Sequence, residues 1–393
     1  MKVLISGVGI AGPTLAYWLL HYGIQPTIVE RAPQLRTGGY IIDFWGCGYD
    51  VAERMGLLPE IKEKGYKLRE VRVVDTDEKP VSRFPAIAFD HATHGRYISL
   101  PRGELASAIF AALGGKVETI FGDSIAKVEQ GADGVRVRFE RGQERSFDLV
   151  VGADGLHSRV RELVFGPESQ YERFLGCKVA AFSIKGYQPR DELTYVMYTR
   201  VGQQVGRFAM RDDRTMFLFT FADHNPDSGD AQQQKELLRR RFAHSGWECS
   251  RILEELDNAS DFYFDRVSQI RIEGQQWSQG RVALLGDAAS CVSLLAGEGS
   301  SLAMTAAYIL AGELHRAGGD YSAAFTRYRE LFGLFVAEKQ RMALRFAGWF
   351  APPSNLSIFL RNQGMKLLQF PPLANLIVGR DLVDHISLPK YAA

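Results

Sequence analysis

The chain has 393 residues, 46% of them hydrophobic and 24% charged, with a formal net charge of +1. That length accommodates two ordinary domains or one large one with an insertion, and the near-neutral charge argues against a nucleic-acid partner, which asks for a concentrated basic face. The four cysteines, Cys47, Cys177, Cys249 and Cys291, are scattered and form no C-x-x-C or Cys/His cluster, so neither a metal site nor a disulfide framework is expected, and a reducing cytoplasm fits.

Residues 3–20 read VLISGVGIAGPTLAYWLL. A secretory leader would end in a small-residue cleavage site and a membrane span would run unbroken for about 20 apolar residues. Here Gly7, Gly9, Gly12 and Pro13 interrupt the run, and IQPTIVE follows at once as a second strand. The pattern is strand, G-x-G-x-x-G turn, helix, strand. Gly7 makes the tight turn, Gly9 leaves room for a pyrophosphate and Gly12 lets helix and strand pack closely. The anion would rest on the free N–H groups at the helix N-terminus. Glu30 closes the second strand and suits a ribose, whose hydroxyls a carboxylate accepts; Arg31 follows it. The turn alone does not distinguish FAD from NAD.

TGGYIID follows, with Arg36 and Asp43 at its flanks, and Asp43 is a candidate pocket residue. His91 and His94 lie in the loop-like DHATHG and are expected to be exposed. Arg102 opens a helix in LPRGEL. DLVVGADGLHSRVR puts a strand before Asp154-Gly155 and a helix-prone stretch with Ser158 and Arg161 after it. Residues 166–279 change texture: short runs rich in Val, Tyr, Phe and Thr, bounded by turn residues, read as an antiparallel sheet. Phe217, Phe219 and Phe221 share one strand face at period two, as do Tyr195 and Met197. These faces either pack a core or line an aromatic pocket. A helix is expected over 232–244, and the basic run Arg239-Arg240-Arg241 reads as its solvated face. RVALLGDAASCVSLLAGEGSSL then carries a strand into Gly286-Asp287, a glycine pair, Gly297 and Gly299, and a long helix from about Ser300 to His315. Further helices are expected over 321–346 and 355–370, with a short turn over 373–378 and an apolar docking stripe of Leu356, Phe359 and Leu360.

The three motifs, GVGIAG, ADG and GD, in this order and spread over the whole chain, resemble the flavoprotein monooxygenases of the para-hydroxybenzoate hydroxylase type (class A). GGYIID, AYILAGEL and the closing ISLPKY resemble the branch with tetracycline-inactivating flavoenzymes and polyketide hydroxylases. The resemblance implies an α/β fold. A discontinuous Rossmann-like FAD-binding domain would span 1–165 and 280–345, a β-sheet substrate domain 166–279, and a C-terminal helical segment, 346–393, would bridge the two. It implies FAD as cofactor, with NADPH or NADH as transient reductant. Asp287 would bond the ribityl chain, Asp154 and Gly155 would lie near the pyrophosphate, and Arg102 would sit beside the diphosphate. The helix after Gly299 would turn its positive end to the reduced flavin.

The activity implied is transfer of one oxygen atom from O2, through a flavin C4a-hydroperoxide, to an aromatic or polycyclic small molecule, by hydroxylation or by insertion next to a carbonyl. No catalytic base is singled out, no membrane span is expected and a monomer is compatible with the pattern. The chain departs from the family motif at Ser290 for histidine, at Ser293 and Leu294 where proline is expected, and at Glu298 for glutamine. Other readings explain less. A nicotinamide-dependent dehydrogenase accounts for Gly7 to Glu30 but not for the later motifs. A flavin-binding accessory protein, or a flavin oxidoreductase that does not oxygenate, would accommodate the altered GD motif.

Overall fold

The computed structural model, which describes residues 1–36, 38–227, 229–259, 261–367, 384 and 386–392, is built on two large sheets. The expected turn over 373–378 lies outside the described residues. The first sheet has six strands in the order Ser278–Gln279, Val282–Leu284, Leu149–Gly152, Lys2–Ser6, Gln25–Glu30 and Glu118–Phe121. All pairings are parallel except that of Ser278–Gln279. Its strands are buried on both faces, as parallel strands covered by helices are: Val3, Leu4, Ile5, Leu149, Val150 and Val151 are inaccessible to solvent. Helices Ala11–His21 and Gly299–Arg316 pack against each other on one side. Gly23, at φ 72°, stops the first of them, its N–H donating to Leu20 O at 3.0 Å.

The second sheet has seven strands, in the order Tyr263–Ile270, Glu172–Lys185, Arg214–Ala222, Gln203–Ala209, Thr194–Arg200, Glu70–Val74 and Pro80–Pro85. It is therefore not confined to the segment 166–279. Two of its strands come from ahead of the ADG motif, joined by a parallel pairing of Glu70–Val74 with Thr194–Arg200. A pairing over so long a sequence separation has no local signature.

One face of this sheet packs beneath helices Ala231–Phe242 and Cys249–Glu254, around Phe182, Phe217, Phe219, Phe221, Leu238 and Phe242. The other carries Tyr195, Met197, Phe208, Met216 and Leu218, packed with Tyr40, Ile41 and Tyr66 and, at Met197, with Met365. Between the sheets runs a hairpin-like pair, Ile41–Trp45 with Tyr97–Pro101.

After the long helix Tyr321–Phe350, helix Asn355–Leu367 lies on the edge of the seven-stranded sheet. Met365 joins Val73, Phe84 and Met197, Ser82 Oγ donates to Asn362 O at 3.1 Å, and Arg361 donates to Gln204 Oε1 and Thr199 Oγ1 at 3.1 and 2.9 Å. The expected stripe is not the docking face: Leu356, Phe359 and Leu360 are 66%, 56% and 60% exposed. Instead Arg361 bonds the helix to the interior strands Thr194–Arg200 and Gln203–Ala209, and Ser82 bonds it to the edge strand. The segment from Ile386 to Tyr391 returns to the first sheet's helices, where Tyr308 Oη donates to Pro389 O at 2.7 Å. Among the described residues no helix is long and apolar enough to cross a membrane.

Candidate active site

The first turn is built by close approach. A Cβ on Gly7, at φ 109°, would lie 2.5 Å from Ala153 O, and one on Gly12 would lie 2.1 Å from Gly7 O. The turn is thus wedged against the strand that leads into Asp154. The Cβ position of Gly9 meets nothing nearer than Arg102 Nη2 at 3.8 Å. That is the open, cation-faced backbone a diphosphate needs. The following helix has neither an acidic residue in its first turn nor a side-chain cap, so its terminal N–H groups remain available. Arg102 is exposed, its own N–H donating to Tyr40 O at 3.0 Å.

Glu30 accepts from Val8 N at 2.9 Å and Ala32 N at 2.8 Å, one bond on each oxygen. Each oxygen keeps lone-pair capacity for a further donor, such as a ribose hydroxyl. Arg31 and Arg36 are exposed on an open crevice of about 490 Å³ lined by residues 31–36.

Asp154 braces its own loop. It accepts from Ser158 Oγ at 2.5 Å, Val160 N at 3.1 Å and Ser6 Oγ at 3.4 Å. Burial raises its carboxyl above the usual range while the Ser158 bond opposes the rise. Gly155, at φ 82°, has open space where a side chain would begin. Arg161 is fully buried and reaches Leu156 O at 2.7 Å, Glu168 Oε2 at 2.8 Å and Ala288 O at 3.1 Å. It ties the ADG loop to the GD loop, a role that its place in HSRVR did not suggest.

Gly286, at φ 61°, turns the chain into the short helix Asp287–Ser290. Asp287 lies near the start of the long helix: a Cβ on Gly299 would be 3.9 Å from Asp287 Oδ1. Burial raises the Asp287 carboxyl; Arg102 and then the Cys291 thiol pull it back down. A small crevice between the two loops is lined by Gly286, Asp287, Ser290, Gly299 and Leu302. Ser293 adopts φ 102°, which a proline ring cannot, so the family's proline would not fit this backbone at that residue. Gly297, at φ 70°, brings the chain beside Trp45. Glu298 N-terminally flanks the helix and is ion-paired at 2.9 Å with Lys339, which is only 6% exposed and also meets Asp384 at 2.7 Å.

The GVGIAG, ADG and GD motifs thus meet from three separated stretches: Gly7 packs against Ala153, and a Cβ on Gly286 would lie 3.1 Å from that of Ala11. The glycine clearances, the free helix ends and Arg102 beside Gly9 fit an extended dinucleotide.

On the substrate side, Asp43 accepts from Tyr97 Oη at 2.5 Å and Ser99 Oγ at 2.6 Å. Its side chain is exposed to solvent, beside the strand pair that carries Tyr97 and Ser99. Desolvation by the protein around it raises its carboxyl, opposed by the Ser99 and then the Tyr97 bond. Tyr195, from the seven-stranded sheet, feels the Asp43 charge, and Gly206 makes room for its ring: a Cβ there would lie 1.9 Å from Tyr195 Oη. Phe217 and Phe219 do not share the face that carries Tyr195. They are fully buried in the core on the opposite face, under Phe242 and Tyr187. The strand is buried on both sides, so period two could not say which face looked inward. Met216 and Leu218 are the inward residues. His91 and His94 are exposed.

Residues 1–319 match the family model described as FAD binding domain. The chain is 41% identical over 344 residues to an uncharacterized protein of Mycobacterium tuberculosis, covering 86% of this chain and 91% of that one. It is 33% identical over 395 residues to a flavin-dependent monooxygenase of Legionella longbeachae (100% and 98% covered). It is 31% identical over 424 residues to the FAD-dependent monooxygenase asL4 of Sarocladium schorii (100% and 98%). Among solved structures it is similar to tetracycline destructase Tet(51), with a TM-score of 0.84 and 33% identity over 99% of each chain.

Proposed function

The chain belongs to the FAD-binding-domain family and is a FAD-dependent monooxygenase of class A, and from that premise we propose that it oxygenates a polycyclic, tetracycline- or polyketide-like substrate with NADPH or NADH as reductant. Gly7, Gly9, Gly12 and Arg102 would hold the diphosphate, Glu30 the adenosine ribose and Asp287 the ribityl chain. FAD, when bound, accepts a hydride from the nicotinamide and activates O2. The protein's part is to position, to keep dry and to balance charge. The N-terminus of Gly299–Arg316 offers unpaired N–H groups without an acidic residue in its first turn, which favours an anion there. The inward face of the seven-stranded sheet, with Tyr195, Phe208, Met216 and Leu218, excludes water from the reacting ring. Asp43, held by Tyr97 and Ser99, accepts a hydrogen bond from a substrate hydroxyl and orients it.

The observation that carries this reading is the packing of the three motifs against one another, Gly7 against Ala153 and Gly286 against Ala11, with Arg102 beside Gly9. The accessory-protein reading rested on the altered GD motif. It loses force because Glu298 is ion-paired with Lys339. The test is oxidation of NADPH and NADH by FAD-loaded protein with a panel of tetracyclines and polycyclic phenols, with mass spectrometry of the products. Stimulated oxidation and a product heavier by one oxygen atom are expected. Flavin reduction without an oxygenated product from any member would overturn the proposal.

A further inference from the structure

Glu298 stands directly before the helix whose N-terminus borders the GD crevice, where a glutamine would be uncharged. Its carboxylate is not left to solvent. Lys339, from the long helix Tyr321–Phe350, reaches it at 2.9 Å and reaches Asp384 of the C-terminal segment at 2.7 Å. Asp384 in turn accepts from Cys47 N at 2.7 Å, at the start of helix Cys47–Arg54. A Cβ on Gly46 would lie 2.2 Å from Asp384 Oδ2, so the glycine makes way for that carboxylate. All three charged side chains are largely buried, at 6%, 11% and 10% exposure for Lys339, Glu298 and Asp384. Among the described residues, these two carboxylates and one ammonium carry a net charge of −1. Two helix N-termini, each equivalent to roughly half a positive charge, offset the remainder. Charges this poorly screened act over longer distances than surface ones.

We infer that Lys339 is a positioning residue for flavin reduction: it neutralises Glu298 at the helix end and, through Asp384, anchors the C-terminal segment to the same charge balance. The inference rests on FAD occupying the crevice, and its reach is to Lys339 and Asp384, which lie outside the three motifs. Removing the ammonium takes one positive charge from between two carboxylates, beside the site where reduction adds negative charge. Removing the Glu298 charge as well restores the original net charge.

The test is the midpoint potential of bound FAD in wild type, Lys339→Met, Glu298→Gln and the double variant, with FAD affinity measured alongside. The expected order of potentials is Glu298→Gln above wild type, the double variant close to wild type, and Lys339→Met lowest. Lys339→Met is expected to shift the two-electron reduction equilibrium about tenfold, equivalent to ~30 mV. A double variant as low as Lys339→Met, or four equal potentials, would overturn the inference. If Lys339→Met does not fold, a Glu298→Gln potential no higher than wild type overturns it. Failure of every variant, wild type included, to bind FAD would instead refute the cofactor reading itself.

Discussion

The two sheets are specified in different currencies. In the parallel sheet the decisive constraints are on the backbone: Gly7 and Gly12 admit no Cβ because carbonyl oxygens stand 2.5 and 2.1 Å from where it would be. In the seven-stranded sheet the constraints fall on side chains, and alternate residues of one strand serve different ends. Phe217 and Phe219 fill the outer core, while Met216 and Leu218 line the face with Tyr195. A backbone constraint tolerates little change, and the contacts proposed for the cofactor are of that kind. A side-chain surface can be rewritten residue by residue while the sheet persists. That is why likeness between relatives speaks more firmly to FAD than to the substrate.

Gly12→Ala should break the first half of the comparison most completely, since the methyl meets backbone. Purified protein should be colourless, with FAD affinity reduced at least ~100-fold, about 2.7 kcal/mol, in a fluorescence titration. In the second sheet, Phe219→Ala should cost ~3–5 kcal/mol of stability by denaturant unfolding while leaving the KM of the refolded enzyme unchanged. Leu218→Ala, one residue along, should move KM. If both variants behaved alike, the division of faces would be wrong. Asp287→Ala should weaken FAD about tenfold or more, the loss of a charge-assisted hydrogen bond, without loss of secondary structure by circular dichroism. Asp43→Asn should leave FAD affinity intact and reduce kcat/KM about tenfold, roughly the 1.4 kcal/mol of one hydrogen bond to a charged group.

The smallest effect concerns the seam between the layers. His157 bonds Glu168 at 2.9 Å and Asp265, on the second sheet, at 3.4 Å, and the Asp265 bond followed by the Glu168 bond raises its pKa from 6.5 to about 9. A raised folded-state pKa stabilises fully below the unfolded value and less as pH climbs through the folded one. The denaturation midpoint should therefore decline between pH 6.5 and 9, and His157→Gln should flatten that decline. The half-exposed ring keeps the effect modest.

Much of the cofactor side was legible because its signals are local: a strand, a glycine turn and a helix adjoin in sequence, as do Gly286 and Asp287. The helix expected over 232–244 forms over Ala231–Phe242, where the structure adds an Asp230–Gln233 capping box. What escaped is what the fold brings together from afar. Tyr97 and Ser99 reach Asp43 only because Tyr97–Pro101 pairs with Ile41–Trp45. Lys339 and Asp384 meet Glu298 through helix packing. Arg161 looked like an ordinary helix arginine until Ala288 O appeared beside it. The inward face of the Arg214–Ala222 strand was hidden by its own apolarity, since a strand buried on both sides shows no polar alternation.

The parallel pairing of Glu70–Val74 with Thr194–Arg200 has a practical corollary for engineering. The chain enters the upper layer, leaves it, and enters again, so that layer is not a cassette excisable at two cut points. A chimera that grafts 166–279 from a relative would leave the recipient's own Glu70–Pro85 hairpin at its margin, with a foreign seam to match. Exchanges meant to alter substrate choice should move the hairpin and the insert as one unit, or change only the inward side chains.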